Sequence, residues 1–96
     1  MQRHQLRKKI NGALEIDETR TTVEAVFAPS GEYDATAKIP FGWKYGLLPR
    51  GRFVSDDGSV VAEISGGATT EHQGKTFGTH LLAKAKFSAV FRDETD

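Results

Sequence analysis

The sequence predicts an all-β fold: a small antiparallel meander of six to seven strands forming a barrel or sandwich, with a short N-terminal arm. Three observations carry this. Strict alternation of apolar and polar residues recurs along the chain, as in Tyr33, Ala35, Ala37 and Ile39 against Glu32, Asp34, Thr36 and Lys38. A period of two is what a strand with one buried face produces, because successive side chains leave opposite sides of the pleat. The alternating runs are separated by short turn signals, and 96 residues are enough for one core but not two.

From the N-terminus, residues 1–11 hold Arg3, Arg7, Lys8 and Lys9 with no acid and little apolar matter, and are expected to form a basic arm. The single β domain is expected over 12–92, and 93–96 reads as an acidic tail. Leu14 and Ile16 mark a short first strand. Asp17 to Arg20 reads as a turn, followed by a strand over Thr21 to Ala28 with Val23, Ala25 and Phe27 on one face. Pro29-Ser30-Gly31 supplies the next turn, since Pro presets φ and Gly accepts positive φ. The strand Glu32 to Ile39 follows.

Two further strands, Arg52 to Ser55 and Ser59 to Ser65, flank Asp56-Asp57-Gly58. An Asp-Gly pair there predicts a type I′ hairpin, with Val60, Ala62 and Ile64 facing one way. Gly66-Gly67 is expected to break that strand, leaving Ala68 to His72 as a short edge strand. After Gln73-Gly74 comes Thr76 to Arg92, where alternate positions read Phe77, Thr79, Leu81, Ala83, Ala85, Phe87, Ala89, Phe91. A helix wound through these residues at 100° per residue gives no clean apolar stripe. A strand over the whole segment is therefore predicted, kinked or bulged near Gly78 because about 50 Å of straight strand exceeds such a domain. Alternating alanines and phenylalanines suit the interior of a tightly curved barrel.

Bulk chemistry narrows the function classes. Cysteine is absent, which excludes disulfides, thiolate metal sites and a cysteine nucleophile and fits a reducing compartment. No apolar run has the length of a membrane span, and the basic N-terminus is not followed by an apolar signal core, so a cytoplasmic protein with no membrane association is expected. The formal net charge is zero, yet the basic residues cluster in 1–11 and again in 38–52. A basic patch would form if those two segments met in space.

The longest connection, Pro40 to Gly51, holds Phe41, Trp43 and Tyr45 at alternate positions with Lys44 between them and Arg50 and Arg52 after them. Long loops on a β scaffold are where binding residues concentrate. The expected site is therefore Phe41, Trp43, Lys44, Tyr45, Arg50 and Arg52. Three uses compete for it. As a hot spot for a protein partner, or for self-association as a homo-oligomer, it offers aromatic and Arg anchors. As a single-stranded nucleic-acid platform it offers stacking planes and phosphate-binding cations, extended by Arg3, Arg7, Lys8 and Lys9. As a small-ligand barrel or enzyme it would cover a pocket beneath the loop, and with no site there Trp43, Leu47 and Leu48 simply cap one end of the barrel. Self-association also draws on Leu82 and Val90, expected as apolar residues on the outer face beside Lys84 and Lys86.

Catalytic signatures are thin, and no enzyme is predicted. Gly74-Lys75-Thr76 ends like a phosphate-binding loop, but the glycine needed five positions before Gly74 is Thr69. His4, His72 and His80 lack the close spacing that holds a metal on one element. The serine-elbow pattern is absent, and the paired carboxylates sit at turns or in the tail. No cofactor or metal is expected.

Overall fold

The computed structural model describes residues 7–43 and 46–91. Six antiparallel strands close into a barrel: β1 (Lys8–Ile16), β2 (Thr19–Pro29), β3 (Asp34–Pro40), β4 (Gly51–Ser55), β5 (Val61–His72) and β6 (Lys75–Lys86), with a short helix α1 (Phe87–Phe91) at the end. The order around the barrel is β1-β2-β3-β6-β5-β4. Each half is an uninterrupted three-strand meander, and the halves join through β3 against β6 and β1 against β4.

The alternating residues face where the period of two places them. Ala25 and Phe27, Ala35, Ala37 and Ile39, Phe53, Ala62, and Leu81 and Ala83 are all fully buried. Phe27 and Phe53 meet edge-on across the interior, with ring centroids 5.9 Å apart, the geometry that aromatic quadrupoles favour. Alanines opposite each other in β3 and β6, as in the pairs Ala35–Ala85 and Ala37–Ala83, leave room for these rings in a narrow barrel.

The turns follow local chemistry. Gln73 and Gly74 both have positive φ, at 53° and 80°, which suits a two-residue type I′ loop. Between β4 and β5 the expected type I′ turn is replaced by a longer one, in which only Gly58 has positive φ, at 77°. Asp57 is the reason: its carboxylate accepts hydrogen bonds from the Ser59 amide, the Ser59 hydroxyl and the Ser55 hydroxyl, holding the backbone in a side-chain-closed turn.

Several boundaries differ from the sequence expectations. β1 begins at Lys8, so Lys8 and Lys9 belong to the sheet rather than to the arm. Tyr33 precedes β3 and is 71% exposed instead of facing the core. β5 is not broken at Gly66-Gly67. Its ladder to β6 absorbs one extra residue at Ser65 and another at Thr79, and these bulges bend the hairpin without ending it.

The largest correction lies at the C-terminus. β6 stops at Lys86, where its neighbour β3 runs out at Asp34, and the Phe87 amide makes one last bond to the Tyr33 carbonyl at 2.7 Å. Past that point no strand flanks the chain, so its amides and carbonyls must pair among themselves. The result is a single helical turn folded across the barrel mouth, with Val90 and Phe91 buried and Phe87 packed on Phe91 at 4.7 Å between centroids. Val90, expected outside, is 1% exposed, and the outer-face argument for self-association loses it.

Candidate functional site

The loop between β3 and β4 lies at the opposite end of the barrel from α1; it holds Phe41, Trp43 and Arg50 of the expected site, and Arg52 follows in β4. Trp43 is turned inward and is 9% exposed. Its ring lies on the inner face of the β5–β6 hairpin, one layer beyond Leu81, against Gly67 and Gly78. A methyl group at either glycine would collide with the indole: the added carbon would lie 2.8 Å from Cη2 at Gly67 and 2.7 Å from Cδ2 at Gly78. The indole N–H is not wasted, since Nε1 donates to the Leu47 carbonyl at 3.1 Å. Trp43 is therefore a plug for this end of the barrel, as α1 is for the other. Its faces are not open for stacking.

That plug fixes the loop around it. The Trp43 amide donates to the Phe41 carbonyl at 2.6 Å, and half-buried Phe41 packs on the core. With Leu47 tied by its own carbonyl, its side chain points away from the barrel and is 98% exposed, and neighbouring Leu48 is 38% exposed. Of the three residues expected in the capping alternative, Trp43 does cap the barrel, whereas Leu47 and Leu48 project from it. The signal that separates them is the pair of glycines in β5 and β6, which make a socket for one flat ring and nothing else.

The cations divide. Arg52 donates from Nε to Glu15 Oε1 at 3.0 Å, directly across the β1–β4 ladder, so its charge is already matched. Arg50 is exposed beside it. Lys44 and Tyr45 lie outside the described residues, as does Arg3. Arg7 and Lys9 are exposed at the other end of the molecule. Lys8 donates from Nζ to the Val90 carbonyl at 3.2 Å and ties β1 to α1, the favourable place for a cation at a helix C-terminus. Glu15, which marks the level of Arg52, is six residues along β1 from Lys9, or about 20 Å. Arg50 and Arg52 therefore do not join the first basic segment, whereas Lys38 does: Lys9 and Lys38 flank Val26 at one level of the sheet, and Arg7 and Lys38 line one groove.

At the α1 end a groove of about 340 Å³ runs between Lys9, Asn11, Asp56, Asp57, Ser59 and Ala89. Its chemistry is that of the turn. The Ser59 amide, the Ser59 hydroxyl and the Ser55 hydroxyl hold the Asp57 carboxyl at about 2, below its ordinary 3.8. A carboxylate that weakly basic is a poor general base near neutral pH. Ser55 is equally committed, donating to Asp57 and accepting from the Val60 amide at 3.0 Å. Among the described residues no group of three or more His, Asp or Glu side chains comes together to hold a metal, and no helix is long and apolar enough to cross a membrane.

Comparison of the chain with models of protein families, with curated proteins and with solved structures found no match in any of the three.

Proposed function

We propose that this chain is a non-enzymatic binding module that contacts another protein through its β3–β4 loop, with Leu47 as the anchor. The observation that supports it is the contrast within one hydrogen bond: Trp43 is buried while Leu47, whose carbonyl it holds, is 98% exposed. An apolar side chain presented on a pinned backbone loses little conformational entropy on binding, which is what makes an interface anchor effective. Leu48 widens the apolar surface and Arg50 stands at its rim, the arrangement of an apolar centre with polar surroundings. The matching partner offers an apolar pocket with a carboxylate beside it.

Single-stranded nucleic acid fits this loop less well. Stacking needs an open aromatic face, and the Trp43 ring is packed against Gly67 and Gly78, while Arg52 is engaged by Glu15. A ligand chamber beneath the loop is likewise disfavoured, because Leu14, Phe27, Ile39, Phe53 and Leu81 fill the barrel interior.

The test is affinity capture with the wild-type chain and with Leu47→Asp side by side, followed by two-component binding of whatever protein is recovered. The reading expects a partner held by the wild type and lost with Leu47→Asp at unchanged melting temperature. It fails if binding survives the substitution, or if the chain instead binds a labelled single-stranded oligonucleotide at low salt with an affinity that falls steeply as salt is added.

A further inference from the structure

The barrel is closed, but one of its seams is short. β2 pairs with β1 along its length from Thr19 to Phe27, yet it pairs with β3 only over Val26 to Pro29. From Thr19 to Ala25 its second edge has no strand beside it, and among the described residues no backbone hydrogen bond from the β3–β4 loop reaches it. The segment is also open to solvent: Thr19, Arg20, Thr21, Thr22 and Glu24 are all exposed. Such an edge carries a row of unsatisfied amides and carbonyls and is a template for another strand.

The charges on this edge choose which strand. Val23, Ala25 and Phe27 face inward, so Arg20, Thr22 and Glu24 share the outer face. An antiparallel pair of two copies of β2 about a twofold axis at Thr22 sets Arg20 opposite the second copy's Glu24, Glu24 opposite its Arg20, and Thr22 opposite Thr22. In the same register Thr21 meets Val23. Opposite charges, paired threonines and a β-branched pair are each favourable cross-strand neighbours, and the twofold axis makes every contact off the axis twice. Shifting the axis by one residue sets Arg20 opposite Thr22 or Val26 and matches no charges. We propose that the chain forms a twofold dimer by antiparallel pairing of the open β2 edge, in the register fixed by Arg20 and Glu24.

Among the described residues Arg20 has only a loose attraction to Glu15 at 3.8 Å, with 72% of its side chain exposed, and Glu15 is already bonded to Arg52 at 3.0 Å. Arg20 is thus placed to reach across the dimer axis. The inference is independent of the Leu47 reading, because the two surfaces use different elements.

The experiment is charge reversal with rescue, read as molar mass by light scattering over a range of protein concentrations. The wild type is expected to approach twice the chain mass. Arg20→Glu and Glu24→Arg each place like charges opposite one another at two symmetry-related points, and each is expected to weaken the dimer by about tenfold or more. The double variant Arg20→Glu/Glu24→Arg restores both pairs with the signs exchanged and is expected to dimerise again. Melting temperatures of the singles identify any variant that fails to fold, and recovery in the double variant requires a folded chain. A wild type that stays monomeric at the highest concentration overturns the proposal, as do single reversals that dimerise like the wild type or a double variant that remains monomeric.

Discussion

Trp43 and Gly78 meet face to face, so closely that a β-carbon at position 78 would fall 2.7 Å from Cδ2 of the indole. Gly78→Ala must therefore push the ring outward or bend β6, and overpacking of this kind costs about 1 to 3 kcal/mol. Trp43→Ala removes the plug itself and is expected to cost about 3 kcal/mol, the lower end for a large aromatic because the residue keeps 9% of its surface exposed. In the Trp43→Ala background Gly78→Ala should cost almost nothing. Chemical denaturation of the four proteins measures this coupling, and additive effects would show that the ring does not rest on the glycine.

The loop that Trp43 anchors is predicted to separate binding from stability. Leu47→Asp exchanges a side chain that is 98% exposed, so unfolding free energy should move by less than about 0.5 kcal/mol. Partner affinity should fall by tenfold or more, as at an interface anchor. Thermal melts and a binding isotherm on the same samples check both halves. A large drop in melting temperature would mean that Leu47 packs on the barrel.

Most of the barrel was legible because its inner face announces itself every second residue, as Ala35, Ala37 and Ile39 do in β3. Strand order was not, since nothing in the alternation of β3 says that β6, rather than β4, lies beside it. The β3–β4 loop was legible as the longest connection, but which of its side chains turn inward was not. An aromatic flanked by cations in a long loop is as good a pattern for a plug as for a contact surface, and only the facing of Gly67 and Gly78 decides between them. Glycine sockets are invisible until the strands that carry them are paired.

The C-terminal turn shows the same limit and can be tested at two neighbouring positions. In a continued strand Ser88 and Val90 would share the outer face, and charging either would be tolerated. In α1 Ser88 is exposed while Val90 is 1% exposed. Ser88→Asp is expected within about 0.5 kcal/mol of the wild type, and Val90→Asp to lose about 3 kcal/mol or more by burying an unpaired charge. Equal, small effects on the midpoint of urea unfolding would restore the strand.

Asp57 gives the turn between β4 and β5 a pH dependence with a definite sign. Its folded-state value of about 2 lies below the ordinary 3.8 because Ser59 and Ser55 donate hydrogen bonds to the ionised form. Ionised Asp57 therefore binds protons less readily in the folded chain than in the unfolded one. Its stabilisation is complete above the unfolded value and drains away as pH falls from about 4 towards 2. Asp57→Asn retains an acceptor for the Ser59 amide but has no proton to gain. Wild type and variant melted at a series of pH values should differ most above pH 4 and converge near pH 2. A gap that is constant across the series would mean that the carboxylate charge contributes nothing to holding the turn.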